Sequence, residues 1–223
     1  MSSALKMKHK NEIVLPEIFQ KDDVRSSDNL IEYFIDRYSS PGDVVFDPFA
    51  GFGTTIVIAE KLGRVGFGIE YLPERVEYIH SIIHNKENVF CGSSLELERY
   101  NLPEIDLSFT SPPYMSKNDH NEYPFAAYQI TGDGYEQYLR DIKAIYAKLK
   151  SFLKSNAYAI IEVSNIIRYG TVTTLAWDIA RSVSEVLEFK KEIVVEWEGN
   201  SNEGNYGFGY DHCYCLVFKN TAT

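Results

Sequence analysis

The sequence predicts an α/β protein with an open, mostly parallel sheet that carries helices on both faces. Three observations indicate this class. Short apolar runs alternate with helix-like stretches along the 223 residues, as in folds built from strand–helix–strand units. One such run, 43–47, leads into a glycine turn and a helix, the arrangement that forms the ligand crevice of an open α/β sheet. A hydrophobic fraction of 44% suffices for one full core.

We predict a single domain over 28–223 that follows an N-terminal extension, 1–27. Residues 5–10 of the extension are basic, and we expect them to be mobile. Helical spacing of apolar residues over 29–39 predicts the first helix. Its buried stripe is predicted to contain Leu30, Tyr33, Phe34 and Tyr38.

The first strand is predicted over 43–47, after Pro41 and Gly42. The chain then turns sharply, and the glycines of the turn permit a positive φ or a close approach to a ligand. The threonines after the turn are expected to cap the helix that begins there. The residues of this predicted crevice are Asp47, Pro48, Phe49, Ala50, Gly51, Gly53, Thr54 and Thr55.

A glycine turn after a strand also occurs in proteins that bind NAD, and it can be purely structural. The dinucleotide fingerprint has a third glycine at a fixed spacing. That glycine is absent here, and Pro48 and Phe49 replace the usual tight glycine turn. The pattern therefore favours another nucleoside-bearing cofactor over a dinucleotide or an empty turn.

The second strand is predicted over 65–70 and ends at Glu70. An acidic residue at this position is placed to accept hydrogen bonds from both ribose hydroxyls of a cofactor. The third strand, 88–91, is followed by Gly92 and Ser93, which we also expect to reach the cofactor.

The fourth strand, 105–109, leads into Thr110, Ser111, Pro112, Pro113 and Tyr114. Two prolines make this segment rigid and remove two backbone donors. The Ser111 hydroxyl and the Pro112 carbonyl can accept the hydrogens of an amine on a flat ring, and Tyr114 can stack on that ring. The alternative is a strand-ending turn with Tyr114 as a core aromatic.

The two segments 47–55 and 110–114 together resemble the amino-group methyltransferases, which use S-adenosylmethionine and act on cytosine N4 or adenine N6 in nucleic acid. The resemblance covers about residues 28–115. It implies a Rossmann-like methyltransferase with a mostly parallel seven-stranded sheet and an antiparallel C-terminal hairpin. It also implies that S-adenosylmethionine is the cofactor and that the enzyme is an N-methyltransferase.

The resemblance divides the site residues into two groups. The catalytic group is Ser111, Pro112, Pro113 and Tyr114. The cofactor-binding group is Asp47, Pro48, Phe49, Ala50, Gly51, Gly53, Thr54, Thr55, Glu70, Gly92, Ser93 and Thr110. In the family, serine at the start of the target motif is associated mainly with cytosine N4. An aspartate often stands where this chain has Ser93, so the contact with the adenine ring differs here.

The second half of the chain continues the alternation of strands and helices. We predict helices over 135–153 and 173–187, and strands over 157–163, 191–197 and 212–218. The long segment 115–134 is predicted either to form a lid over a flipped base or to pack as a surface loop. The Gly- and Asn-rich segment 198–209 is predicted to extend the final hairpin toward nucleic acid or to form a disordered tip.

The charge limits how the chain binds nucleic acid. Lys and Arg number 22 and Asp and Glu number 32, so the formal net charge is −10. Since phosphate neutralisation drives binding to duplex DNA, the chain alone should bind it weakly. DNA is the favoured substrate, read by short loops or through a protein partner or homodimer. Structured RNA is the alternative, and a non-catalytic cofactor-binding subunit is the second alternative.

Three cysteines and no apparent signal or membrane span predict a cytoplasmic protein. Cys213 and Cys215 are expected on one face of a strand. Because no second pair of cysteines or histidines lies nearby, no metal site is expected.

Overall fold

The computed structural model describes residues 3–117, 134–198 and 210–221. The predicted α/β class is confirmed. The strands are β1 (Ala4–Met7), β2 (Val44–Asp47), β3 (Val65–Glu70), β4 (Val89–Cys91), β5 (Ile105–Thr110), β6 (Leu153–Val163), β7 (Ile166–Arg168), β8 (Thr171–Thr173), β9 (Glu188–Trp197) and β10 (His212–Lys219). The helices are α1 (Asp28–Tyr38), α2 (Thr54–Lys61), α3 (Pro73–Ile82), α4 (Tyr135–Leu149) and α5 (Leu175–Ser184).

The main sheet has eight strands in the order β1-β9-β10-β6-β5-β2-β3-β4. Neighbouring strands from β6 to β4 run parallel. The last two strands, β9 and β10, form the predicted antiparallel hairpin, and β10 also pairs antiparallel with β6. The order reverses direction at β2, between β5 and β3, and such a switch point is where open α/β sheets bind ligands.

The predicted count of seven strands is wrong by one. The additional strand, β1, lies in the N-terminal segment that was expected to be mobile. It pairs in parallel with the outer edge of β9, with Ala4 opposite Val194 and Met7 opposite Trp197. Leu5 and Met7 pack against the apolar face beneath them. The boundary at residue 28 remains a prediction, although the extension contributes to the sheet.

Two apolar layers enclose the sheet. One layer lies between the sheet and helices α4 and α5, and it includes Tyr138, Ile142 and Ile179. The other layer lies on the side of α1 and α2 and includes Phe34 and Phe109. Among described residues, no helix is long and apolar enough to cross a membrane.

Helix α1 forms where it was predicted, but its buried stripe is rotated. Leu30 and Phe34 are fully buried, as expected. Ile31 and Ile35 are also fully buried, whereas Tyr33 and Tyr38 are only half-buried. Leu30, Ile31 and Ile35 therefore face the sheet. Tyr33 and Tyr38 lie at the margin of the contact between the helix and the sheet, and both are partly exposed to solvent.

The later elements differ mainly at their ends. Helix α4 ends at Leu149, and β6 begins at Leu153, so the strand is longer than predicted. The small antiparallel hairpin of β7 and β8 was not predicted. Most of 115–134 and 198–209 lies outside the described residues, so the predictions for these two segments stay predictions.

Candidate functional site

A cavity of about 410 Å³ lies at the carboxyl ends of β2, β3, β5 and β6. Eleven of the residues predicted for the site line it: Asp47, Phe49, Ala50, Gly51, Thr54, Thr55, Glu70, Ser111, Pro112, Pro113 and Tyr114. The structure thus brings together two segments that lie about 60 residues apart in the sequence. Both predicted halves of the site belong to one cavity.

Asp47 is the centre of a buried hydrogen-bond network. Its Oδ1 accepts hydrogen bonds from the Phe49 N–H at 2.9 Å and from the Thr110 hydroxyl at 2.5 Å. The Thr55 side chain also donates to this carboxyl group. Burial raises the pKa of Asp47 to about 6, although these three hydrogen bonds act in the opposite direction. The network ties the end of β2 to the end of β5 and to the start of α2.

The raised pKa of Asp47 predicts how stability depends on pH. The folded state holds the proton between the ordinary value of 3.8 and about 6, where the unfolded chain releases it. The contribution of Asp47 to stability is therefore greatest below the ordinary pKa and is lost as pH rises through about 6. We expect the free energy of unfolding of wild type, minus that of Asp47→Asn, to fall by up to about 3 kcal/mol across this window.

Urea unfolding of both proteins at several pH values measures this difference. The subtraction removes every titrating group that the two proteins share. A difference that stays constant with pH would show that Asp47 has an ordinary pKa in the folded protein, and a difference that rises with pH would show a lowered pKa.

The turn between β2 and α2 depends on two left-handed glycines. Gly51 has a φ of 58° and Gly53 a φ of 80°, a region that favours glycine. A Cβ on Gly53 would also lie 2.9 Å from a methyl carbon of Ile79. The predicted threonine caps are wrong: Gly53 occupies the N-cap position, and Thr54 and Thr55 lie inside the helix. The Thr55 hydroxyl serves Asp47 instead.

Glu70 at the end of β3 closes the turn from the other side. Its Oε2 accepts from the Gly51 N–H and its Oε1 from the Leu72 N–H, both at 2.9 Å. Burial raises the pKa of Glu70, and these amides together with Arg75 oppose that shift. A carboxylate has about four acceptor positions, so acceptor capacity remains on both oxygens.

The target segment, residues 110–114, is held from two sides. The Pro113 carbonyl accepts a hydrogen bond from the Tyr138 hydroxyl at 2.9 Å. The Tyr114 hydroxyl accepts from the Ser164 N–H at 2.9 Å and interacts with the Ser111 side chain. Burial holds the pKa of Tyr114 well above its usual value, with Glu162 and Cys213 adding to the effect. The phenol is therefore neutral, and its ring is fixed at the cavity wall.

Five predicted cofactor residues do not line the cavity. Thr110 supports Asp47, as described above. The Pro48 carbonyl accepts from the Ser94 hydroxyl, and Ser93 caps the following turn by accepting from the Leu95 N–H at 3.2 Å. Gly92 is packed against Tyr100, and Gly53 against Ile79. These residues shape the loops that surround the cavity, and their predicted contacts with a cofactor stay predictions.

Sequence reasoning missed nine lining residues: Val24, Arg25, Ser26, Ile31, Phe52, Tyr71, Leu72, Arg75 and Glu162. Three of them belong to the N-terminal extension, and no local pattern connects that extension with the crevice. Arg75 lies over the Phe52 ring, with 4.5 Å between the guanidinium carbon and the ring centroid. Glu162 interrupts the apolar run that forms β6, and this was the one sequence signal that could have identified a missed residue.

Glu162 is a buried carboxyl group at the target end of the cavity. It is 2% exposed. Its Oε1 accepts a contact from the Cys213 thiol at 3.5 Å, and its Oε2 has no hydrogen-bond partner among the described residues. Burial raises its pKa, and the nearby Ser26 hydroxyl and Cys213 oppose that shift. Burial of this carboxyl group is costly, and the Ser26 and Cys213 side chains offset part of that cost.

Comparison with known proteins bears on this site. Residues 8–81 match the family model described as DNA methylase, whose label names N6 and N4 methyltransferases. This part of the chain is therefore similar to the amino-group DNA methyltransferases. The match includes the crevice residues 47–55 and Glu70, and it ends before the target segment.

Two curated relatives agree with this relationship over part of their length. The type II methyltransferase M.BglII from Bacillus subtilis is 28% identical over 120 residues, which are 52% of this chain and 28% of the relative. The type II methyltransferase M.BamHI from Bacillus amyloliquefaciens is 33% identical over 92 residues, which are 36% of this chain and 22% of the relative. The chain thus matches less than a third of the length of either relative.

A solved structure confirms the fold. TrmN from Thermus thermophilus superposes with a TM-score of 0.60 and 16% sequence identity, over 90% of this chain and 52% of that protein. At this identity the similarity concerns the backbone alone. A TehB-like SAM-dependent methyltransferase from Corynebacterium glutamicum superposes with a TM-score of 0.57 and 14% identity, over 86% of this chain and 87% of that protein. The chain therefore has the Rossmann-like fold that is found in methyltransferases.

Proposed function

We propose that this chain transfers a methyl group from S-adenosylmethionine to the exocyclic amine of a nucleic-acid base, with cytosine N4 in DNA as the favoured target. One observation carries the proposal: a single cavity is lined by the glycine turn and Glu70 on one side and by Ser111 to Tyr114 on the other. A methyl transferase needs a cofactor and an amine side by side, because proximity and alignment supply much of the rate.

The residues at the cofactor end fit S-adenosylmethionine. Glu70 retains acceptor capacity after it has bound the Gly51 and Leu72 amides, so it is suited to a ribose diol. The left-handed Gly51 lets the backbone approach a ligand closely. S-adenosylmethionine, when bound, supplies an electrophilic methyl group on a sulfonium. The work of the chain is to hold this methyl group in line with the amine.

The residues at the target end fit a ring with an exocyclic amine. The nitrogen lone pair of such an amine is delocalised into the ring, so the amine is a poor nucleophile. The Ser111 hydroxyl and the Pro112 carbonyl would accept its hydrogens and shift the nitrogen toward tetrahedral geometry. The Tyr114 ring, fixed by the Ser164 N–H, would stack on the base. No covalent intermediate is required.

The preference for cytosine N4 depends on Ser111. Serine at this position is associated mainly with cytosine N4 in the resembling family, where aspartate or asparagine accompanies adenine N6. The family label covers both N6 and N4, so the choice of base is part of the proposal.

RNA is the second candidate substrate, and the net charge of −10 favours it. A single-stranded base in a folded RNA is captured without opening a duplex. An acidic chain gains little from phosphate neutralisation, so a substrate whose target base is already accessible suits it better. A DNA substrate would instead call for a protein partner or a second copy of the chain.

The decisive experiment measures transfer of radiolabelled methyl from S-adenosylmethionine to duplex DNA, single-stranded DNA and total RNA in parallel. Digestion to nucleosides and mass analysis then identify the product. N4-methylcytosine from DNA supports the proposal, and N6-methyladenine from DNA moves the target to adenine. Label in RNA alone supports the second candidate. Intact binding of S-adenosylhomocysteine without transfer to any substrate would favour a non-catalytic subunit.

A further inference from the structure

The small hairpin of β7 and β8 is attached at one end to the target segment and at the other end to Lys117, three residues after that segment. Before β7, the Ser164 N–H donates to the Tyr114 hydroxyl at 2.9 Å. At the end of β8, the Thr173 hydroxyl oxygen accepts from the Lys117 N–H at 3.0 Å. The hairpin therefore projects from the rim of the cavity, next to the residues that are proposed to hold the base.

The outer face of this hairpin is unusual for a soluble surface. Ile166 and Thr173 face the body of the protein and are buried. Ile167 and Val172, which pair across the two strands, are 41% and 50% exposed. An exposed apolar pair beside a ligand cavity is typical of a surface that contacts something else.

The turn between β7 and β8 has Tyr169 at a position where asparagine would be less strained. Tyr169 and Gly170 form a two-residue loop, with φ values of 51° and 74°. Loops of this kind favour asparagine followed by glycine, because the first residue must adopt the left-handed conformation. Tyr169 adopts it at a cost and is 85% exposed. The strain is not repaid by packing, so it points to a role for the ring in binding.

The hairpin is also positively charged, whereas the chain as a whole is negatively charged. Residues 164–174 contain Arg168 and no Asp or Glu, although the chain has 32 acidic residues. The Arg168 guanidinium lies over the Tyr169 ring, with 5.6 Å between its carbon and the ring centroid. A cation and an exposed aromatic ring are the groups that bind the phosphate and the base of a nucleic acid strand.

We propose that the β7–β8 hairpin binds the nucleic-acid strand that flanks the target base. Tyr169 stacks on or wedges beside a neighbouring base, Arg168 contacts a phosphate, and Ile167 and Val172 cover the sugar and base edges between them. The inference rests on the proposed function, since it takes its substrate from there. It gives an acidic chain a local surface for a polyanion at the place where the base must enter.

The test uses the full chain and fluorescently labelled duplex and single-stranded DNA and RNA oligonucleotides of mixed sequence, with fluorescence anisotropy at several salt concentrations. Tyr169→Asn is the informative variant, because asparagine suits the turn while it removes the ring. We expect it to leave the thermal unfolding temperature unchanged or raised and to weaken nucleic-acid binding by roughly 5- to 100-fold. Tyr169→Phe, which keeps the ring, should retain wild-type binding.

Arg168→Ala is expected to weaken binding of all the oligonucleotides alike. It should also reduce the slope of log K against log salt concentration by the amount that corresponds to about one phosphate contact. Arg37→Ala is its matched control, because Arg37 also lies over a tyrosine ring, Tyr33, at 5.1 Å on α1. Its removal should leave binding unchanged. None of these variants should change the affinity for S-adenosylhomocysteine.

Several outcomes would overturn the inference. The inference fails if Tyr169→Asn and Arg168→Ala bind nucleic acid as wild type does, and it fails if the wild-type chain binds none of the oligonucleotides. A change in oligomeric state with unchanged nucleic-acid binding would assign the hairpin to a protein contact instead. The proposed function fails separately: nucleic-acid binding that depends on the hairpin, without methyl transfer by wild type, would sustain this inference and contradict the proposed reaction.

Discussion

Tyr114→Ala is expected to lower kcat/KM for methyl transfer by roughly 100-fold or more, because a base that is no longer held in plane loses its alignment with the methyl donor. The side chain is half-buried at the cavity wall, and its hydroxyl is fixed by the Ser164 N–H. The ring is thus held in one orientation before any substrate binds. Steady-state kinetics with the substrate identified in the methyl-transfer assay provide the measurement.

Tyr114→Phe is the matched control, since it keeps the ring and removes only the hydroxyl. It leaves the Ser164 N–H without this partner, which costs about 1–3 kcal/mol. We therefore expect lower stability and a smaller loss of activity than in Tyr114→Ala. Binding of S-adenosylhomocysteine should persist in both variants. If Tyr114→Ala retains wild-type activity, stacking on this ring has no part in the reaction.

Glu70→Ala is expected to weaken binding of S-adenosylhomocysteine by roughly 1–3 kcal/mol, the range for lost hydrogen bonds to a charged group. Two effects act in the same direction. The variant removes the acceptor that is proposed for the ribose, and it also releases the Gly51 and Leu72 amides that now bind the carboxylate. Isothermal titration calorimetry measures the affinity directly and does not require an active substrate.

Glu70→Gln separates the two effects. Glutamine retains one acceptor oxygen and loses the charge, so we expect an intermediate affinity. Glu77→Ala, an exposed acid on α3, changes the net charge equally and should leave the affinity at the wild-type value. Wild-type affinity in Glu70→Ala would place the ribose elsewhere, and the fit of this cavity to S-adenosylmethionine would then have to be revised.

The parts of the fold that follow from local pattern were predictable. The strand before Asp47, the glycine turn and the helix after it form a contiguous signal of about 20 residues. The target segment is equally local, because its residues are consecutive and follow directly from the end of one predicted strand. That both segments line one cavity follows from the topology of a parallel sheet, in which all carboxyl ends lie on one edge.

The parts that were missed depend on contacts that are distant in sequence. Strand β1 pairs with β9 across some 190 residues, and four residues carry too little pattern to reveal it. The β7–β8 hairpin was missed because Tyr169 stands where the usual asparagine would signal the turn. Thr54 and Thr55 resemble capping residues, but the carboxyl group of Asp47 takes the Thr55 hydroxyl. Glu162 was missed although it interrupts the apolar run of β6, because its place in the cavity wall depends on residues that are distant in sequence.

The edge strand β1 has a consequence for handling the protein. It covers residues Val194 to Trp197 of β9, where Val195 is fully buried and Trp197 is 8% exposed. Without β1, this edge of β9 would expose unpaired backbone groups, which can pair with strands of other chains and lead to aggregation. Removing the first few residues, or fusing a bulky tag directly to them, would therefore risk insolubility even though the cavity of the candidate site lies several strands away.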